Sequence, residues 1–415
     1  MTQPAKKLRE PRIAMNLTRL GSLHQTRLSF VRAILRKATA EHWQIELVQF
    51  DINAEGYGTA VYQTTTKNGV YSCIIFAHAL EDDKRSDRVI AEAWDITFAL
   101  ISGKADQDIV KQLSQSVPLQ EAGRNNPRVL VLSRANRSVR NFAYITDCLA
   151  NGEQPDPQQI AKVGYLYRTT AVYGNGKFGI ADYHLLRNND DFSRPFAAQM
   201  FAVYLLRDFC VLQVEHIARQ RSAKAVKLAP ELNRYLGIGN STGLGMAPFL
   251  INHPGLLSRW VLALETAIAR CVTQTVTAEN QAQYLAIVNK AAQYFSETTT
   301  VDAIQQARYE QVSRDIKGLQ TLLSDDHSGA TWGEVLDNYS DGKQYESAEL
   351  FNSILLELFP DLVDDLCDEM GDEENYQLNA GISLAEMKAL IESRYAWTLA
   401  YDFSKPEQNY WFWYA

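Results

Sequence analysis

Two periodicities divide the first third of the chain. Apolar residues recur at helical spacing between Leu23 and Trp43, which predicts an amphipathic helix. The period then changes to two, and three segments rich in β-branched and aromatic residues predict strands: 44–51, 58–65 and 70–78. The pair Asn68-Gly69 lies between the last two segments and is a strong short signal for a hairpin. The pattern therefore predicts an antiparallel β-meander.

The run from Arg88 to Ile101 fits two patterns. Every second residue from Trp94 to Leu100 is apolar, as in a strand, whereas Ile90, Trp94 and Ile101 also fit one helical stripe. We favour a fourth strand of the same antiparallel sheet. The segments that follow predict a short helix at 106–116, a buried strand at 129–132 and a helix at 139–149.

The pattern of the second half is mostly helical. A linker containing proline and glycine, 151–157, precedes two predicted strands that are joined by a glycine-rich hairpin, 164–170 and 178–186. A long helix is predicted at 195–223. Further helices are predicted at 256–270, 278–295, 301–323, 348–359 and 384–397.

These elements predict an α+β fold of four parts. Residues 1–15 are expected to form a flexible arm, and residues 16–150 a sheet domain with flanking helices. Residues 158–325 are expected to form a mainly helical domain that contains the hairpin (164–187) and a glycine-rich loop (236–255). An acidic helical region, 326–415, is expected to pack on the rest.

Composition narrows the classes of function. The chain has 415 residues and a net charge of −8, so we expect no nucleic-acid partner, because phosphate backbones require a cationic face. The five cysteines are scattered singly, which indicates a reducing compartment. The N-terminal segment lacks the apolar core of a secretory signal, and no apolar run reaches the roughly 18 residues of a membrane span. We therefore expect a cytoplasmic protein without a membrane segment.

A glycine-rich loop is the first candidate site. Four glycines fall within the nine positions from Gly237 to Gly245. The segment lacks the ending of a P-loop and the spacing of a dinucleotide-binding motif. Its backbone N–H groups and polar side chains suit a phosphate or a carboxylate. The candidate substrate-binding residues are Gly239, Asn240, Ser241, Thr242 and Gly243. The alternative is a structural corner between two helices.

The glycine-rich hairpin is the second candidate site. Arg168 and Lys177 flank it and would hold an anion, the arginine through a bidentate fork and the lysine as a point charge. Asp182 and His184 lie two residues apart, so on a strand they share a face and could transfer protons. The alternative is a long exposed hairpin. His253 begins the helix after the glycine-rich loop and is a third candidate for proton transfer, with a packing or capping role as the alternative.

A block of arginines without any acidic residue is a further candidate for anion or partner binding: Arg124, Arg128, Arg134, Arg137 and Arg140. The block could instead pair with the acidic segment 324–376, which contains no arginine and only one lysine. The last residues, 410–414, are five aromatic side chains. They predict either docking in a groove or a natural chain that continues.

We expect a cytosolic enzyme that acts on a small anionic metabolite, a carboxylate or a phosphate ester, by general acid–base and electrostatic catalysis at the two glycine-rich segments. A scaffold or regulator that binds a protein through the arginine block and the aromatic end is the alternative. A nucleotide- or phosphate-binding protein is a third hypothesis. The cofactor stays unknown. A metal at Asp182 and His184 would need a further ligand such as Glu215 or His216, and without an HExxH motif we expect none. A homo-oligomer is compatible with the sequence.

Overall fold

The structure is a computed structural model of the chain, which divides into two compact units. The helical unit comprises Met1–Arg32, His253–Asn375 and Ile382–Ala415, and the sheet unit comprises Ala33–Asn252 and Tyr376–Gly381. The structure describes the following residues: 28, 30–80, 94–115, 126–138, 140–161, 165–169, 179–180, 186, 189–194, 197–238, 254–296, 303–341 and 345–369.

The sheet unit contains an eight-stranded sheet, and its strand bounds are β1 Gln44–Ile52, β2 Gly58–Thr65, β3 Val70–Ala77, β4 Ile96–Ser102, β5 Val129–Arg137, β6 Tyr165–Thr169, β7 Gly179–Ile180 and β8 Gly237–Ile238. Strands β1 to β6 follow one another in chain order, and every neighbouring pair is antiparallel. They form a curled sheet, or half-barrel. The predicted meander and the α+β fold class are confirmed.

The helices of the sheet unit are α1 Phe30–Ala40, whose first residues belong to the helical unit, α2 Gln107–Ser114, α3 Asn141–Ala150, α4 Pro157–Ala161 and α5 Ala197–Arg221. The helices of the helical unit are α6 Pro254–Val272, α7 Ala278–Ser296, α8 Ala303–Leu322, α9 Trp332–Ser340, α10 Tyr345–Leu358 and α11 Asp364–Glu369. Short 3₁₀ helices span Pro230–Tyr235 and Pro360–Leu362. The second half of the described chain is thus mostly helical, as predicted.

The turn between β2 and β3 fixes the register of these two strands. Thr65 pairs with Val70 across the first hairpin, and the Thr66 N–H donates to the Gly69 carbonyl at 2.9 Å. Strand β4 begins at Ile96 and pairs with β3 and β5, which confirms the strand alternative for its part of the ambiguous run. Residues 81–93 lie outside the described part of the chain.

The two faces of the sheet have different covers. One face, the α2 face, contains Ile74, Phe76 and Ala99, which form a core with Ile109 and Leu113 of α2. Since side chains alternate along a strand, the intervening residues belong to the opposite face, the α5 face. Two tyrosines on that face bond to α5: the Tyr62 hydroxyl to Asp208 at 2.6 Å and the Tyr167 hydroxyl to Gln213 at 2.9 Å.

Helix α5 fills the α5 face with apolar side chains. By length and composition alone this helix could cross a membrane, but 72% of its most apolar stretch is buried inside the molecule. Phe201 and Phe209 of α5 contact rings from β1 and its flanks, with Trp43 and Phe201 centroids 5.3 Å apart. The burial matches that of a core helix packed on a sheet.

The glycine-rich hairpin takes a different form from the one predicted. Thr169 of β6 pairs with Ala135, and Gly179 of β7 pairs with Leu132. Both short strands are antiparallel to β5, so they run in the same direction along one edge instead of pairing as two arms of a hairpin. The segment 170–178 between them lies outside the described residues.

The helical unit is organised around an aromatic core. Tyr284 of α7 stacks on Trp332 of α9 at 4.8 Å, and its hydroxyl donates to the Phe351 carbonyl of α10 at 3.0 Å. Helix α9 begins with a capping box in which Thr331 and Glu334 bond reciprocally. Part of the acidic segment 324–376 therefore forms ordinary core helices.

Candidate functional site

Three regions that the sequence singled out approach one another at the β5–β6–β8 edge of the sheet. Arg168 of β6 stands opposite Asn136 of β5, two residues from Arg134 of the arginine block. The first residues of the glycine-rich loop, Gly237 and Ile238, form β8 and pair in parallel with β6. Because adjacent parallel strands end on the same side, β6 and β8 lead into their glycine-rich segments at the same end.

The other predicted site residues lie outside the described part of the chain: Lys177, Asp182, His184, Gly239, Asn240, Ser241, Thr242, Gly243 and His253. Of Arg168 the structure describes the backbone only. Its backbone stands opposite Asn136 in the register.

Beyond the area covered by α2, the α2 face becomes polar. Phe76, Thr97 and Arg134 lie side by side in register on β3, β4 and β5. Asn136 lies two residues after Arg134, and His78 two residues after Phe76, so both continue the same face. This end of the face therefore carries His78, Thr97, Arg134 and Asn136 in place of the apolar residues at the other end.

This region contains two buried N–H donors that have no acceptor among the described residues. Trp94 is 1% exposed, and its indole Nε1 has no hydrogen-bond partner among the described residues; the same holds for Nδ2 of Asn136. The Arg134 guanidinium lies 4.4 Å from the Trp94 ring. The Asn136 Oδ1 accepts from the backbone N–H of Asp95 at 3.1 Å, which brings the amide beside Trp94. We call Trp94, Arg134 and Asn136 the donor cluster.

The carboxylate of Asp95, next to the donor cluster, is paired with an arginine. Asp95 is buried, and its Oδ2 accepts the backbone N–H of Arg137 at 3.0 Å. Its Oδ1 lies 3.6 Å from the Arg137 Nε, and the guanidinium also contacts the Phe142 ring. The Asp95 carboxylate thus contacts both the backbone and the guanidinium of Arg137.

A neutral imidazole lies on the same face. The His78 Nε2 is 3.3 Å from the Thr97 Oγ1, and the His78 backbone N–H donates to the Asp95 carbonyl at 2.8 Å. Burial lowers the pKa of the His78 imidazole to about 4. At neutral pH the ring is therefore uncharged and carries one N–H donor and one bare acceptor nitrogen.

A second polar cluster lies at the other end of the same strands, beside the β2–β3 turn. The Asp191 carboxylate accepts from the Thr66 hydroxyl at 2.7 Å, the Asn68 amide at 2.7 Å and the Tyr71 hydroxyl at 2.8 Å. Burial, and then the bond to Asp191, raise the pKa of the Tyr71 hydroxyl. We call these four residues the Asp191 cluster, and both oxygens of its carboxylate have donors.

The turn that precedes β8 is fastened to α5. The guanidinium of Arg207 donates to the Asn233 carbonyl, which also accepts the N–H of Leu236. Within the described residues the structure pairs Arg207 with no carboxylate, and burial lowers the pKa of its guanidinium. The bond holds the 3₁₀ helix Pro230–Tyr235 directly before the start of the glycine-rich loop.

The remaining candidates have structural partners within the sheet unit. Arg128 pairs with Asp106 and bonds to the Ser102 carbonyl, so it is held at the end of the sheet. Glu215 accepts the Leu228 N–H at 3.0 Å, and the His216 Nε2 lies 3.0 Å from the Asn53 carbonyl. The two residues weighed as extra metal ligands thus bond to backbone groups.

Sequence reasoning missed His78, Thr97 and Asn136. The alternation of Trp94, Ile96, Phe98 and Leu100 places Thr97 on the opposite face, and β5 shows no alternation around Asn136, so the sequence did not mark either residue. A buried polar residue in an apolar strand is more informative than an exposed one. The missing step was the strand register, which the sequence alone does not provide.

No protein-family model, curated protein or solved structure matches this chain. The function is therefore argued from the site itself.

Proposed function

We propose that the protein is an enzyme that acts on a small anionic metabolite, a carboxylate or a phosphate ester, bound at the donor cluster. The observation that carries the proposal is the pair of buried N–H groups, Trp94 Nε1 and Asn136 Nδ2, that lack acceptors beside the Arg134 guanidinium. A buried unsatisfied donor costs about 1–3 kcal/mol. A ligand rich in acceptor oxygens would satisfy both donors.

The character of the ligand follows from the character of the groups around it. Guanidinium, indole N–H and amide N–H groups only donate hydrogen bonds, and carboxylate and phosphate oxygens only accept them. A guanidinium and two neutral donors suit an anion better than a sugar or an apolar ligand.

The two glycine-rich segments support the proposal because the strands that lead into them are neighbours. Backbone N–H groups of Gly239 to Gly243 would stabilise developing negative charge, and Asp182 and His184 would transfer protons. The Arg207 bond would keep the start of the glycine-rich loop in place. His253 belongs to the helical unit and is not used in this proposal.

The rival functions have less support. The scaffold hypothesis relied on the arginine block and the aromatic end. Arg128 and Arg137 of the block bond to carboxylates of their own unit, and the aromatic end lies outside the described residues. The nucleotide-binding hypothesis differs from the proposal only in the size of the ligand. Cys73, Cys148, Cys210 and Cys271 are free thiols, as suits the cytoplasmic location we propose.

The test is anion binding by a variant that loses one donor. Trp94→Phe removes the indole N–H and keeps a smaller aromatic ring, so we expect inorganic phosphate or acetate to bind about 10-fold more weakly than to the wild type by calorimetry. Trp332→Phe is the matched control, because its Nε1 is also buried and without a partner among the described residues but lies in the helical unit. Equal affinities for all three proteins, or no binding of either anion to the wild type, would overturn the proposal.

A further inference from the structure

We propose that His78 makes the donor cluster selective for oxyanions that carry a proton, such as hydrogen phosphate or a phosphate monoester, over fully deprotonated oxyanions such as sulfate. The inference rests on the proposed function and names the ligand class of the same site. Its basis is the arrangement of His78 and Asn136 around the start of β4.

His78 and Asn136 approach the same stretch of backbone from opposite sides. The His78 Nε2 reaches Thr97 at 3.3 Å, and the Asn136 Oδ1 reaches the Asp95 N–H at 3.1 Å. Neighbouring strands lie about 4.8 Å apart, so two side chains that both lean over the central strand converge. Trp94, with its unpartnered Nε1, directly precedes Asp95. The imidazole and the Asn136 amide therefore flank the segment from Asp95 to Thr97.

The imidazole would add an acceptor nitrogen on the same face as the two unpartnered donors. A neutral histidine always has one bare nitrogen; in the tautomer whose Nε2–H donates to Thr97, this nitrogen is Nδ1. The structure gives His78 no carboxylate partner among the described residues, and its pKa of about 4 keeps it neutral near pH 6. A bare nitrogen accepts the P–O–H proton of a hydrogen phosphate, whereas it meets only lone pairs on sulfate.

Selectivity of this kind arises from an unpaired polar atom. Sulfate would satisfy the Trp94 and Asn136 donors as well as phosphate does, but would leave the histidine nitrogen without a proton. We therefore expect phosphate to bind about 10-fold more tightly than sulfate. If the His78–Thr97 bond only ties β3 to β4, the two anions should bind alike.

The experiment compares inorganic phosphate with sulfate by calorimetry near pH 6, where inorganic phosphate carries at least one P–O–H proton and sulfate carries none. His78→Phe keeps an aromatic ring and removes both nitrogens, and we expect it to lose affinity for phosphate about 10-fold while sulfate affinity stays the same. His216→Phe is the matched control, because that half-buried histidine bonds to a backbone carbonyl elsewhere on the sheet unit. Trp94→Phe should weaken both anions equally.

Each outcome has a distinct meaning. Wild-type binding of both anions without preference, or an equal loss of both in His78→Phe, overturns the role of His78 and leaves the proposed function standing. Absence of binding by either anion overturns both. If His78→Phe does not fold, the ring nitrogen resonances of wild-type His78 decide: we expect them to shift on adding phosphate and not sulfate, and identical shifts overturn the inference.

Discussion

The β3–β4 region has a polar cluster at each end, and the two clusters differ in how fully their buried polar groups are hydrogen-bonded. In the Asp191 cluster the carboxylate, 2% exposed, receives three hydrogen bonds from neighbouring side chains. In the donor cluster, buried N–H groups of Trp94 and Asn136 have no acceptor among the described residues. Both oxygens of the Asp191 carboxylate are hydrogen-bonded, whereas two donors of the second cluster have no acceptor among the described residues.

The comparison contrasts matched and unmatched buried polar groups within one sheet. A matched buried network stabilises a unique arrangement of strands. Unmatched groups lower stability and persist when they serve another purpose, since proteins depart from the rules of good packing mainly at functional sites. The predictions that follow test this contrast, beginning with the largest effect.

Loss of the Asp191 carboxylate should have the largest effect on stability. Asp191→Asn puts an N–H₂ group against side chains that already donate, so we expect the free energy of unfolding to fall by about 2–4 kcal/mol. Urea unfolding of the variant measures the change. Asp190→Asn is the control, because the neighbouring Asp190 is exposed. A loss of similar size in both variants would show that the cluster does not act as a matched network.

Glu41 should give a smaller and pH-dependent effect. Burial alone would raise the pKa of this carboxyl, but hydrogen bonds from Trp43, Lys37 and Lys67 outweigh burial and lower it to about 2 from the ordinary 4.5. The folded state thus binds fewer protons than the unfolded state between these values. Its stabilisation is complete above about pH 4.5 and is lost as the pH falls towards 2.

Glu41→Gln should therefore cost about 1–2 kcal/mol at pH 7 and almost nothing near pH 2. Thermal unfolding of wild type and variant across this pH range measures the difference. Glu46→Gln, on an exposed stretch of β1, is the control. A difference that does not change with pH would contradict the assignment of the ion pairs to the folded state.

Trp94→Phe should give the smallest effect on stability in the absence of ligand. The variant removes a donor that has no acceptor, which is favourable, and leaves a small cavity where the five-membered ring stood, which is unfavourable. We therefore expect the free energy of unfolding to change by no more than about 1 kcal/mol. Chemical denaturation without added anion measures it. A loss as large as that of Asp191→Asn would mean that the indole N–H has a structural partner and would remove the contrast between the two clusters.

Much of the sheet was predictable because its signals are local. Alternation marked β1, β2 and β3, and Asn68-Gly69 marked the hairpin between β2 and β3. The ambiguous run from Trp94 became a strand because β3 and β5 pair with it on either side, which is tertiary information. The glycine-rich hairpin failed as an inference for the same reason: glycine content reports freedom of the backbone, not the identity of the pairing partner.

The candidate site was only partly predictable. Arg134, Arg168 and the first residues of the glycine-rich loop were chosen separately, and the register of β5, β6 and β8 relates them to one another. Trp94 attracted attention in the sequence as part of a strand, but whether its N–H meets an acceptor depends on side chains distant in the chain. Asn136 and His78 stand out only when their neighbours on adjacent strands are known.

The interrupted edge strand has a consequence for how this molecule could diversify. Nine residues separate Thr169 from Gly179, whereas only two separate their partners Ala135 and Leu132, so seven residues are not needed to keep the ladder in step. An insertion or deletion between β6 and β7 would leave the pairing on both sides unchanged. Natural variation or loop grafting could therefore change the length and sequence of this segment while the pairing of β5 with β6 and β7 stays constant.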